Sequence, residues 1–171
     1  MSHEEHHSFD PFELTGNRKA DDESLLTTLR AYCEPSNNSL RILYCSLSNV
    51  AALLGWYLKE VNWVGFYLTE GDELILGPFH GLPACTRIKI GKGVCGASFK
   101  DKKQYNVKNV HDFPGHIACD SASNSELVTP ILKNGEVVGL LDIDSPHLEH
   151  FTDEDNKLCQ NIVDILSEVC F

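Results

Sequence analysis

Glu126-Leu127-Val128-Thr129-Pro130-Ile131-Leu132-Lys133-Asn134-Gly135-Glu136-Val137-Val138-Gly139-Leu140-Leu141-Asp142-Ile143 is the stretch that decides the fold. Two apolar runs flank Asn134-Gly135, a dipeptide that tolerates the positive φ angles of a tight hairpin turn. The pattern predicts strands over Glu126 to Leu132 and Glu136 to Ile143, paired antiparallel. Upstream, Asn62-Trp63-Val64-Gly65-Phe66-Tyr67-Leu68 is rich in aromatic and β-branched residues and reads as another strand. Glu70-Gly71-Asp72 turns it back into Leu74-Ile75-Leu76, a second hairpin. Thr86 to Ile90 and Tyr105-Asn106-Val107 supply two further strands. Between them Gly91-Lys92-Gly93 is a turn and Val94 to Lys100 a short helix. Val110 to Ser125 reads as a long irregular loop, a length usually tied to function.

The ends of the chain have a different period. Leu40, Leu43, Leu47, Val50, Leu54 and Tyr57 recur at steps of three and four, one face of an amphipathic helix. Asp21-Asp22-Glu23-Ser24 carries helix-start signals before Leu25, Leu26 and Leu29. Thr152 caps a last helix whose first turn holds Asp153, Glu154 and Asp155, and whose apolar stripe is Leu158, Ile162, Ile165, Leu166 and Val169. The expected fold is therefore α+β. About six antiparallel strands carry the N- and C-terminal helices on one face, and loops including 110–125 cover the other. Residues 1–20 read as a flexible polar tail and residues 21–171 as one domain.

Composition narrows the function. The 171 residues are 42% hydrophobic and 23% charged, with a formal charge of −11. An acidic surface argues against nucleic-acid backbones and anionic membranes. No apolar run approaches the roughly 20 residues of a membrane span. The N-terminus lacks the apolar segment of a secretory signal, so a cytoplasmic location is expected. Seven cysteines is a high and odd number for a reducing compartment. Working thiols, metal ligands or core packing must account for them. Cys85, Cys95 and Cys119 stand out because each lies beside glycine, proline or small polar residues, where a substrate or another thiol can reach. Cys33, Cys45, Cys159 and Cys170 read as core or interface fillers.

Asn62-Trp63-Val64-Gly65-Phe66-Tyr67, Leu76-Gly77-Pro78-Phe79, Gly91-Lys92-Gly93-Val94-Cys95-Gly96, Pro114-Gly115-His116-Ile117-Ala118-Cys119-Asp120 and Gly139-Leu140-Leu141-Asp142-Ile143-Asp144 resemble the segments of free methionine-(R)-sulfoxide reductases. These are single GAF-domain enzymes, and the similarity runs from about Leu25 to the C-terminus. The resemblance implies a GAF-type fold over residues 21–171. It implies that Cys119 attacks the substrate and that Cys85 and Cys95 resolve the oxidised product, in either order. It also implies that Trp63, Glu126, Asp142 and Asp144 line the substrate pocket. The R epimer as substrate and thioredoxin or an equivalent dithiol protein as reductant follow from the same resemblance. No cofactor is implied.

The residues suit that chemistry. A sulfoxide sulfur accepts a thiol only once its oxygen is hydrogen-bonded or protonated, so an acid must be at hand. The attacking cysteine becomes a sulfenic acid, and a second thiol condenses with it to a disulfide. Asp142 and Asp144 are two apart on one strand and share a face, and Glu126 can come near them. Crowded carboxyls cannot all ionise comfortably, so at least one pKa should rise. A protonated carboxyl could donate to the sulfoxide oxygen and an ionised one could hold the free α-ammonium. The same acids should raise a neighbouring thiol's pKa.

Two other readings compete. His116, Cys119, Cys85 and Cys95 could form a zinc set, although no Cys-x-x-Cys pair is present. The chain could instead be a GAF sensor module that binds a small molecule without chemistry. Metal analysis tests the first, and thiol-dependent turnover tests the second. His111 and His116 read as loop-stabilising hydrogen bonders, and the helical face offers a surface for a homodimer.

Overall fold

The computed structural model describes residues 10–115 and 122–171. The order is α1 (Arg18–Tyr32), α2 (Leu40–Tyr57), β1 (Trp63–Glu70), β2 (Glu73–Gly81), β3 (Arg87–Lys89), α3 (Gly93–Asp101), β4 (Tyr105–Val107), a 3-10 turn (Val110–Asp112), β5 (Ser125–Lys133), β6 (Glu136–Ser145) and α4 (Asp153–Val169). The strands form one six-stranded sheet in the order β3-β2-β1-β6-β5-β4, antiparallel at every junction. The deciding hairpin is β5–β6, with Asn134 and Gly135 both at positive φ in its turn. The two hairpins β1–β2 and β5–β6 meet at the centre, where β1 pairs with β6.

Alternation along the central strands divides the apolar residues between two cores. Val64, Phe66, Leu68, Leu127, Ile131, Leu141 and Ile143 face α1, α2 and α4. Trp63, Tyr67, Val128 and Leu140 face the other way and pack with Leu74, Ile88, Val94, Cys95, Val107 and Val110. The helices therefore cover one face, as expected, and α3 with the flanking loops covers the other. Val110 and Phe113, in the described part of the long loop, pack into this second core.

One helix boundary and one buried face differ from expectation. α1 starts at Arg18, not near Asp21, because the Asn17 side chain accepts from the Ala20 N–H and caps the helix. Asp21, expected as a start signal, is instead buried and accepts from the Thr15 N–H, the Thr15 hydroxyl and the Gly16 N–H. Leu40, counted on the buried face of α2, is exposed at the helix start, while Ser46 and Ala51 are buried. At α4 the Thr152 cap holds, completed by Asp155 reaching back to the Thr152 N–H.

Candidate active site

Cross-strand register assembles the acids. Asp144 lies between Glu126 on β5 and Trp63 on β1, and Asp142 lies between Val128 and Gly65. Side chains two apart on β6 share a face, so both aspartates point away from the three large helices, with Glu126 beside them. The fourth participant comes from α3. Cys95 donates its S–H to Asp142 Oδ2 at 3.3 Å, with Glu126 Oε1 at 3.9 Å. Cys95, Glu126 and Asp142 are 4%, 7% and 6% exposed. Asp142 Oδ1 has no hydrogen-bond partner among the described residues.

Burial dictates the protonation. Glu126 is raised well above the usual carboxylate range, first by burial and then by Asp142 and Asp144. Asp142 is pushed up to about 7 by burial, against the opposing S–H donation from Cys95. The Cys95 thiol is driven well up by burial, then by Asp142 and Glu126. The expected rise in at least one carboxyl is thus present. The cluster holds a carboxyl able to donate a proton, beside an oxygen with an unused acceptor position.

Cys95 departs from the picture of an open turn. It lies in the first turn of α3 and is buried as a neutral thiol. Gly96 makes this possible, since a Cβ there would meet the Lys89 carbonyl at 2.6 Å. Cys85 sits in the β2–β3 loop, half-buried, and is disulfide-bonded. Cys119 and His116 lie outside the described residues. A disulfide sulfur is no thiolate ligand, so the competing zinc reading lacks Cys85 in this state. The described donors with metal-ligating proximity are instead Cys95, Glu126 and Asp142, within 4.8 Å of one another.

Trp63 is 2% exposed. Its ring stacks on Phe79 at 5.4 Å and on Tyr67 at 6.1 Å, and its Nε1–H donates to the Leu82 carbonyl at 3.1 Å. Gly65 makes room for it, since a Cβ there would come within 2.4 Å of the indole. His111 hydrogen-bonds Asn124 at 2.9 Å, the loop-stabilising role expected of it. Sequence reasoning missed Tyr67. Its hydroxyl donates to the Cys85 carbonyl at 3.0 Å, and burial raises its pKa, followed by Asp142 and Cys95. The alternation Trp63-x-Gly65-x-Tyr67 was the available signal: two aromatics on one face with a gap between them.

Comparison with known proteins gives a consistent set of likenesses. The GAF domain family model matches residues 39–169. The free methionine-R-sulfoxide reductase of Escherichia coli is 48% identical over 72% of this chain and 75% of its own length. Protein YtsP of Bacillus subtilis is 43% identical over 90% and 93%. The free methionine-R-sulfoxide reductase of Neisseria meningitidis, solved in complex with its substrate, superposes with a TM-score of 0.81 at 35% identity, covering 92% of each chain.

Proposed function

Because the chain belongs to the GAF domain family, and within it to the free methionine-R-sulfoxide reductases, we propose that it reduces free L-methionine-(R)-sulfoxide to methionine. The observation that carries this reading is the buried Glu126–Asp142–Cys95 cluster, with Asp144 next to Glu126 in the register. The expected oxyanion partner is a protonated carboxyl, and this cluster supplies one in a nearly water-free place. A buried acidic group also favours a substrate carrying a free ammonium, which peptide-bound methionine lacks.

Cys119 attacks the sulfoxide sulfur while a carboxyl of the cluster protonates the oxygen. The oxygen leaves the substrate, methionine departs, and Cys119 carries the oxygen as a sulfenic acid. A second thiol displaces that oxygen as water and forms a disulfide. The balance is one sulfoxide and two thiols giving one sulfide, one disulfide and one water. The disulfide at Cys85 supports Cys85 as the first resolver. The burial of Cys95 among acids supports a later, exchange role for it. A thioredoxin-like dithiol protein then reduces the disulfide by exchange. Trp63 contributes the apolar wall for the substrate's methyl group. No helix among the described residues is long and apolar enough to cross a membrane, and we place the enzyme in the cytoplasm.

The test is turnover with dithiothreitol on resolved R and S epimers of free methionine sulfoxide and on a peptide carrying the sulfoxide. Turnover of the free R epimer alone is expected, and Cys119→Ser should abolish it. Activity that survives this substitution removes Cys119 as nucleophile. Equal activity on the peptide removes the ammonium-reading pocket. Ligand binding without turnover would favour a sensor.

A further inference from the structure

Three side chains that can each carry a negative charge converge from three elements. Cys95 comes from the first turn of α3, Glu126 from β5 and Asp142 from β6. All three are more than nine-tenths buried. Among the described residues neither carboxyl pairs with a lysine, arginine or histidine. Cys95 Sγ lies 3.3 Å from Asp142 Oδ2 and 3.9 Å from Glu126 Oε1, and one donor atom from each residue falls within 4.8 Å of the other two. A thiol has a single proton, so it serves only one of these oxygens at a time. Asp142 Oδ1, on the carboxyl that faces Cys95, is buried and has no hydrogen-bond partner among the described residues. The cluster therefore has more acceptors than protons, a deficit that a cation relieves.

We propose that the reduced chain binds one zinc ion through Cys95 Sγ, Glu126 Oε1 and the Asp142 carboxylate, and that the bound ion blocks sulfoxide reduction. The distances fit such an ion. Zinc bonds a thiolate sulfur at about 2.3 Å and a carboxylate oxygen at about 2.0–2.2 Å, so a tetrahedral site separates sulfur from oxygen by about 3.6 Å. The two sulfur–oxygen distances fall on either side of that value. The donor set also selects the ion. Calcium and magnesium take six or more oxygens, whereas one thiolate with two carboxylates suits zinc. Three protein donors leave the fourth position to water, unlike a closed structural site. Only Cys95 is shared with the competing zinc set of His116, Cys119, Cys85 and Cys95. Binding displaces the thiol proton and any carboxyl proton to solvent. The block rests on the function proposed above: the ion occupies the carboxyls that protonate the sulfoxide oxygen and the thiol that exchanges. A cluster that methionine sulfoxide reaches is open to a hydrated ion.

The probes are zinc and, for its spectrum, cobalt. The full chain is reduced, stripped with a chelator and freed of small thiols before titration. Cobalt should bind at one equivalent with a thiolate-to-metal charge-transfer band and tetrahedral d–d bands, and zinc should displace it. Both should persist in Cys85→Ser and Cys119→Ser. Cys95→Ser should lose the charge-transfer band and weaken zinc by at least roughly 100-fold, since even outer-shell partners are worth 10–100-fold. Glu126→Gln keeps the thiol and the shape. It should weaken zinc by a similar factor yet retain the band at saturating cobalt, so the test stands even if the serine variant does not fold. A wild type without the charge-transfer band, or a band that survives Cys95→Ser, overturns the site. Binding without a thiolate band would put the ion on His3, His6 and His7 and overturns it equally. Methionine release in a single turnover without added thiol should fall about 100-fold with one equivalent of zinc and return on chelation. Unaltered release with zinc bound overturns the block. Thiolate-bound metal in a chain whose metal-free form does not reduce the sulfoxide would strike the reductase reading and support the zinc site.

Discussion

Tyr67 does two things with one side chain. Its ring lies against Trp63, and its hydroxyl holds the carbonyl of Cys85 at 3.0 Å. The loop carrying Cys85 is otherwise an irregular connection between β2 and β3, so this bond limits where the cysteine can stand. Tyr67→Phe keeps the stacked ring and removes only the hydroxyl. A lost hydrogen bond of this kind costs about 1 kcal/mol, a drop of roughly 2–4 °C in a domain of this size. Oxidation of Cys119 by substrate should proceed as before, because the acids and Trp63 are untouched. Closure of the disulfide at Cys85 should slow several-fold. Single-turnover experiments read both quantities, with methionine release for the first and thiol loss for the second. Equal closure rates in both proteins would mean that Tyr67 merely fills the core.

At the scale of elements, α3 stands where the sequence placed a short helix over Val94 to Lys100, but its burial was not legible. Gly91-Lys92-Gly93 is the turn the sequence predicts, and the glycines flanking Cys95 suggested an accessible thiol, which the structure instead buries. Gly93 opens the helix at φ +62°, and Gly96 is there for close approach, with the Gly91 N–H donating to the Gly96 carbonyl at 2.8 Å. Two glycines serving different purposes look alike on paper, so the burial of Cys95 was not legible. Gly96→Ala tests the packing reading. Its Cβ would meet backbone atoms of Lys89 and Gly91 at under 3.0 Å, so the helix must move. We expect a loss of about 1–3 kcal/mol. We also expect Cys95 to alkylate faster as it leaves Asp142 and Glu126, measured against the parent under native conditions. Unchanged protection of Cys95 would show that the helix is not held by that contact. By contrast, the β5–β6 hairpin and the Thr152 cap were legible, because turn dihedrals and capping geometry depend on adjacent residues alone. The start of α1 was not, because Asp21 is claimed by a contact with Thr15 that only the folded chain presents.

Across the whole molecule the sheet divides labour between its faces. One face buries a continuous apolar core under three helices, and the other buries acids among aromatics. The acids were readable as a group from their place at the end of an apolar strand. Their protonation was not, because it depends on how completely water is excluded. That exclusion has a consequence for stability. Asp142 is raised to about 7 when folded and returns to an ordinary carboxylate when unfolded. Between those two values the folded state binds more protons than the unfolded state. Stability from this residue is therefore fully present below the unfolded pKa and is lost as pH rises through about 7. Asp155 and Glu168 act in the opposite sense, because both are held below the usual range and lose their contribution as pH falls. Total stability mixes the two trends, so the difference between wild type and Asp142→Asn is the quantity to measure. The amide keeps the shape and can still accept from Cys95, but carries no charge to bury. Near pH 4 the two proteins should unfold at similar temperatures. By about pH 8 the variant should be more stable by roughly 1–3 kcal/mol. If Asp142 is the carboxyl that protonates the sulfoxide oxygen, turnover of the variant should be about 100-fold lower. Thermal unfolding of both proteins across that range gives the difference directly. A gap that stays flat with pH would mean Asp142 is solvated in the free enzyme. The acid would then have to be Glu126, which is raised first by its own burial.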